Sequence, residues 1–150
     1  MTILCQCIEE LTRETPADRL SHELWCSCCP NVGGLWYKNI ENYNHSLVVT
    51  SMIGYMIGLG DHHLDNVLVD LKSEQIIHID YNICFEKSKK LHVPEEVSYR
   101  LTQNLQNAVG IAGLEDVFSL SSENVLEILR DGKKILLNLL ELFIYDPLID

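Results

Sequence analysis

The stretch Gly58-Leu59-Gly60-Asp61-His62-His63-Leu64-Asp65-Asn66-Val67-Leu68-Val69-Asp70, followed by Gln75-Ile76-Ile77-His78-Ile79-Asp80, decides how this sequence is read. Residues 66–70 and 75–80 are rich in β-branched side chains. The spacer Leu71-Lys72-Ser73-Glu74 between them is polar and turn-like, so the pattern predicts a small β-hairpin. Asp61 and Asn66 lead into the first strand and Asp80 ends the second, which brings all three to the base of the hairpin. Two carboxylates and an amide buried together are unfavourable unless something neutralises them. A hard divalent cation does so, taking oxygen ligands from Asn and Asp and the remainder from phosphates and water.

Upstream of the hairpin, the spacing predicts a long helix over 35–57. It is polar at first (Lys38, Glu41, Asn42, Asn44) and then apolar on all sides, which implies that its second half enters the interior. An amphipathic helix is expected over 2–13, stopped by Thr15-Pro16-Ala17-Asp18. A short helix follows over 19–26, and then a loop over 29–34. Downstream, residues 81–97 read as irregular and mixed in charge, with helices over 98–109, 122–131 and 133–145. No repeat, low-complexity tract or linker interrupts this order. The fold class is α+β, mainly α, with one hairpin.

A chain of 150 residues, 47% hydrophobic and 22% charged, fits one domain or a piece of one, with a core that needs no disulfides. Eleven Lys and Arg stand against 22 Asp and Glu, and this net charge of −11 argues against a nucleic-acid surface or a polybasic membrane anchor. Met1 is followed by a short apolar run that meets Glu9 and Glu10 without a basic lead, so no signal peptide is expected. The apolar stretch 47–60 is too short for a membrane span and carries Thr50, Ser51 and three glycines. The six cysteines (Cys5, Cys7, Cys26, Cys28, Cys29, Cys84) lack the paired C-x-x-C spacing of structural zinc and read as reduced, packed thiols.

Protein-kinase chemistry places a catalytic Asp five residues before a metal-binding Asn, with a second metal-binding Asp after a hairpin. Asp61 and Asn66 have that separation, and Asp80 follows the hairpin. The usual His before the Asp is missing, and His63 stands two residues after it. This permutation, D-x-H-x-x-N followed by H-I-D, resembles the phosphatidylinositol-3-kinase superfamily. The strings GLGDHHLDNVLVD, HIDYNICFEKSKKLHVPEEVSYRLTQN and YDPLID extend the likeness to the phosphatidylinositol-3-kinase-related protein kinases. Within them it is most similar to the branch that serves nonsense-mediated mRNA decay. Asp80-Tyr81-Asn82, where most relatives have D-F-G, is the most discriminating feature.

The resemblance covers essentially the whole chain and implies that residues 1–150 are the C-terminal lobe of a kinase catalytic domain. The catalytic loop would be about 58–66 and the activation loop about 78–102. It makes Asp61 the group that accepts or orients the substrate hydroxyl proton, and His63 a neighbour of the transferring phosphoryl group. Asn66 and Asp80 become ligands of Mg2+ or Mn2+, and Leu68 and Ile79 line the ATP pocket. The implied substrate is protein Ser or Thr, in the decay branch on an RNA helicase of the mRNA surveillance complex. Regulatory subunits are implied as further partners, with no direct nucleic-acid or membrane contact, in cytoplasm and nucleus.

The sequence departs from the family at two kinds of place. Relatives usually carry Arg where His62 stands, and a histidine near its reference pKa of ~6.5 is mostly neutral at pH 7, so a permanent charge beside Asp61 is lost. Asn82 replaces Gly, and Asn tolerates a left-handed backbone better than most residues. The phosphate-covering glycine loop and strand Lys of an N-terminal lobe are not found: Gly33-Gly34 falls in a predicted loop and Lys38 on a predicted helix. The FATC-like segment that follows the domain in relatives is not found either.

Plainer roles are expected elsewhere. Asp65 and Asp70 read as a turn partner and a strand end, and His78 as a hydrogen-bonding residue beside the hairpin. His22, His45 and His92 read as surface residues, Trp25, Trp36 and Tyr37 as packing anchors, and Lys87, Lys89 and Lys90 as a solvated loop. Three rival functions stay open: a phosphoinositide lipid kinase, a manganese phosphoesterase suggested by Asp61-His62-His63, and a non-catalytic remnant acting as a binding module. Glu86, Glu95 and Glu96 among the loop lysines speak against the first, and the lack of further metal-binding motifs against the second. With only half of a phosphoryl-transfer site in its sequence, the 150-residue chain alone is expected to show no metal-dependent phosphate transfer. A radiolabelled-phosphate assay on the pure chain checks this.

Overall fold

The computed structural model describes residues 16–27, 33–90, 97–110 and 117–145. In chain order these form α1 (Arg19–Ser27), α2 (Gly33–Ile57), a 3-10 turn (Leu64–Asn66), and the strands β1 (Val67–Asp70) and β2 (Gln75–His78). Four helices follow: α3 (Glu86–Lys89), α4 (Gln103–Ala108), α5 (Ser119–Asp131) and α6 (Lys133–Ile144). The expected helix over 2–13, and residues 29–32 of the expected loop, lie outside the described residues. Gly33 and Gly34 belong to α2, and a four-residue helix, α3, interrupts the segment expected to be irregular.

The two strands pair antiparallel in the register Val67↔His78, Leu68↔Ile77, Val69↔Ile76 and Asp70↔Gln75. With this alternation Val67, Val69 and Ile76 face the helices, and Ile76 is buried in the main core with Leu24, Tyr43, Leu47, Val48, Met52, Leu105, Ala108, Val109 and Phe118. A second, smaller cluster of Ile57, Leu59 and Cys84 gathers Tyr81, Phe85 and Leu140 around it.

Helix α2 differs from its expected pattern. Its polar first half is only partly solvated: Lys38 and Glu41 are exposed, but Asn39 and Asn44 are buried, and their amides bond inward to Glu74 Oε1 (3.2 Å) and to the Val109 carbonyl (3.1 Å). Nor is the second half buried all round, since Val49 and Tyr55 are exposed. Tyr37, expected to anchor packing, is 71% exposed, whereas Tyr43 takes that role. Its hydroxyl donates to the Leu105 carbonyl at 3.0 Å, and burial pushes its phenol far above the usual range.

The hairpin turn is closed by its own side chains. Asp70 Oδ1 accepts from the Lys72 N–H at 3.0 Å and Oδ2 from the Ser73 hydroxyl at 2.7 Å. These bonds, the hydroxyl first, hold the Asp70 carboxyl below its ordinary pKa.

The end of α2 aims the chain at the hairpin. Gly58 takes φ +59, the Leu59 N–H bonds the Gly54 carbonyl (2.9 Å), and the Gly58 N–H bonds that of Tyr55 (3.3 Å), the paired bonds of a Schellman stop. A Cβ at Gly58 would meet nothing nearer than the Phe85 backbone at 3.9 Å, so only backbone strain opposes a side chain there. Gly58→Ala is expected to cost about 1 kcal/mol in urea unfolding, with Gly58→Asn recovering part of the loss.

Candidate active site

Past the Gly58 stop, the loop from 59 to 66 is held at both ends. The Gly60 N–H bonds the Ile83 carbonyl at 2.8 Å, and the Ile79 N–H bonds the Asn66 carbonyl at 2.9 Å. The second bond closes the open end of the hairpin, one step beyond the Val67↔His78 pair. Asn66 therefore sits across the ladder from Ile79 and diagonal to Asp80.

Within the loop, Asn66 Nδ2 donates to Asp61 Oδ2 at 3.4 Å, and the His63 N–H donates to Asp61 Oδ1 at 3.2 Å. Because the Asn66 amide nitrogen is turned to Asp61, its oxygen is the atom left to face outward. His63 keeps Nδ1 toward Asp65, accepting from its N–H at 3.4 Å and lying 3.2 Å from its carboxylate. Asp65 is thus a turn partner, as the spacing suggested.

Asp80 has φ +62, which Asp tolerates better than most residues, and its Oδ1 accepts from the Asn82 N–H at 3.1 Å. The left-handed pivot is therefore Asp80 itself and not Asn82. Phe85 also has positive φ, its N–H bonded to the Ile57 carbonyl at 2.9 Å.

The expected burial of the three polar groups does not hold: Asp61 and Asn66 are half-buried and Asp80 is exposed. Desolvation is thus no reason for a cation here. The donor chemistry still suits one, since Asn66 Oδ1 and the Asp80 carboxylate are hard oxygen donors beside Asp61. Among the described residues no group of three or more His, Cys, Asp or Glu could hold a metal. A magnesium site completed by phosphate and water needs only one or two protein ligands.

His78 was expected to hydrogen-bond. Neither ring nitrogen has a partner in strict hydrogen-bond geometry among the described residues, the Ile79 backbone being the nearest group to act on it, and the ring packs on Tyr81 with centroids 5.2 Å apart. Burial, then neighbouring His62, lower its pKa, while the Ile79 backbone, then Asp61 and Asp80, pull it upward. Both carboxylates thus lie within electrostatic reach of one imidazole. His62 is buried, lining a cavity of about 30 Å³ with His78 and Arg100.

On the outer face of the hairpin, Leu68 and Ile79 are 46% and 42% exposed, and Ile77, the cross-strand partner of Leu68, is 46% exposed. Ile77 was not singled out from the sequence, although a strand's period of two puts it on the same face as Ile79.

Residues 6–150 match the family described as phosphatidylinositol 3- and 4-kinase. The chain belongs to this family. It is 48% identical to the serine/threonine-protein kinase SMG1 of Danio rerio and 50% identical to Smg1 of Drosophila melanogaster, each over the whole chain. It is 51% identical to the probable serine/threonine-protein kinase smg1 of Dictyostelium discoideum over 99% of the chain. It spans only 4%, 5% and 6% of the length of these relatives. A solved Tel1 kinase dimer superposes on 88% of the chain with TM-score 0.77 and 32% identity, the match covering 6% of that structure's chain. Through these relatives the chain is similar to the phosphatidylinositol-3-kinase-related protein kinases.

An apolar cleft of about 290 Å³ is lined by Ile53, Ile57, Tyr81, Cys84, Phe85, Leu139 and Leu140. Burial raises the Cys84 thiol pKa, against a smaller pull from Lys87, whereas Cys26 is exposed. At pH 8, iodoacetamide is expected to modify Cys84 about tenfold or more slowly than Cys26, by peptide mapping.

Proposed function

We propose that the chain is the C-terminal lobe of a protein serine/threonine kinase catalytic domain, with its catalytic loop at about 58–66 and its activation loop at about 78–102. The observation that carries the reading is the Asn66–Asp61 contact at 3.4 Å, held beside Asp80 by the Ile79–Asn66 bond at 2.9 Å. Asp61, fixed by two donors, orients the substrate hydroxyl and receives its proton as the oxygen attacks phosphorus. His63, with Nδ1 turned to Asp65, offers Nε2 toward the phosphoryl group. Asn66 and Asp80 are the residues that would hold Mg2+ or Mn2+, whose bound charge would neutralise the ATP phosphates. Leu68, Ile77 and Ile79 give the apolar platform on which the purine would rest.

The relatives' names, all serine/threonine-protein kinases, favour a protein over a lipid acceptor. An RNA helicase of the mRNA surveillance complex is the substrate that the resemblance points to, with regulatory subunits, in cytoplasm and nucleus. No helix among the described residues is long and apolar enough to cross a membrane.

The test compares peptide and phosphoinositide acceptors in the full-length kinase, with Asp61→Asn and Asp80→Asn. Asp61→Asn is expected to lower kcat about 10²- to 10⁴-fold with nucleotide binding retained. Asp80→Asn keeps the left-handed backbone but removes the anionic ligand, so the magnesium concentration for half-maximal rate is expected to rise about tenfold or more. Wild-type kinetics in both variants would refute the reading, and turnover of lipid but not peptide would favour a lipid kinase.

A further inference from the structure

Arg100 stands 38 residues downstream of His62, and its Nη1 donates to the His62 carbonyl oxygen at 3.0 Å. That carbonyl belongs to the same peptide group as the His63 N–H, which donates to Asp61 Oδ1 at 3.2 Å. The peptide is planar and trans, so its C=O and N–H point to opposite sides. Arg100 holds one edge and Asp61 rests on the other.

We propose that Arg100 is a positioning residue for Asp61, acting through the His62–His63 peptide group. The proposal deepens the kinase reading and rests on the role given there to Asp61. Two physical effects support it. A guanidinium donor fixes the rotation of the peptide plane, because turning the carbonyl away would also turn the His63 N–H off the Asp61 carboxylate. Donation to the carbonyl also polarises the peptide and strengthens its N–H as a donor to an anion.

Arg100 is itself well placed to act as a fixed point. Its neighbour Tyr99 packs against Phe118 with ring centroids 6.0 Å apart. Its other neighbour, Leu101, has its carbonyl held by Gln106 Nε2 at 2.9 Å. Thr102 caps α4 by accepting from the Leu105 N–H at 3.4 Å. The end of the activation loop is thereby tied to the core, and Arg100 carries that tie to the catalytic loop. A displacement at residues 97–102 would loosen the carboxylate without touching nucleotide or metal.

The test uses the full-length kinase with Arg100→Met, Arg100→Lys and the control Asp61→Asn. Arg100→Met is expected to lower kcat about 10- to 100-fold, the scale of a displaced catalytic group. Its KM for Mg-ATP should stay within about threefold of wild type, since the residue touches no substrate. Arg100→Lys, which keeps a cationic donor, is expected to recover most of the rate. Amide exchange over 61–66 should quicken in Arg100→Met and much less in Arg100→Lys.

A wild-type kcat in folded Arg100→Met overturns the proposal, as does an equal loss in both variants that follows their melting temperatures. If Arg100→Met does not fold, Arg100→Gln, whose side chain is shorter and uncharged, takes its place. A reduced kcat at unchanged melting temperature and KM supports the relay, and wild-type exchange and kcat sink it. An inactive Asp61→Asn beside a fully active Arg100→Met removes the relay and leaves the kinase reading. An active Asp61→Asn removes the reading itself.

Discussion

The grip of α2 on the hairpin turn is the constraint on which the site depends. A ribbon of two four-residue strands is marginal by itself in water. Here three polar side chains at helical spacing, Asn39, Asn42 and Ser46, reach the ribbon from one face of α2. Asn39 donates to Glu74 Oε1 at 3.2 Å, Asn42 to the Ser73 carbonyl at 3.3 Å, and the Ser46 hydroxyl accepts from the Ile76 N–H at 2.8 Å. Glu74 is fully buried at positive φ, so the turn is pressed into the protein and not merely laid on it. The far end of the hairpin, with Asn66 and Asp80, inherits its position from this anchored end. The same helix ends in the Gly58 stop that delivers Asp61, so one rigid element fixes both approaches to the site.

This arrangement explains which features the sequence carries openly. The period-two runs and the polar spacer give the hairpin and its register, because a slip of one residue would turn Ile76 out of the core. The five-residue step from Asp61 to Asn66 is local, and a 3-10 turn at Leu64–Asn66 is enough to bring the two side chains together. The polar first half of α2 is a different matter. Asparagines on a helix read as solvated from composition, and only the tertiary partner shows that they face inward. Glu74 in the turn spacer gave no sign of burial for the same reason. A cluster of polar residues between two apolar runs reads as buried from chain order alone. In three dimensions they lie at the hairpin's open edge.

The same distinction separates two inward-facing histidines, His62 and His78, from the exposed His63. His62 and His78 turn toward the helices, where they share a small cavity with Arg100. His63 stays exposed beside Asp65. Three imidazoles close in space therefore do different work, and no rule of spacing separates them. The difference comes from backbone direction alone: after Gly60 successive side chains alternate, so Asp61 and His63 share the outer side while His62 points in.

That alternation resolves the departure at position 62. The resemblance leads one to expect an arginine there, with its charge beside Asp61. In this structure the 62 side chain is 4% exposed and faces the interior, away from where substrate would approach. What position 62 gives to Asp61 is its main chain: a carbonyl held by Arg100 and, through the same peptide, the N–H that meets the carboxylate. A peptide group is the same whichever side chain stands beside it. Those hydrogen bonds run through the main chain at position 62 and do not involve its side chain. The cation that bears on this loop comes instead from Arg100, far along the chain, and only folding brings it there.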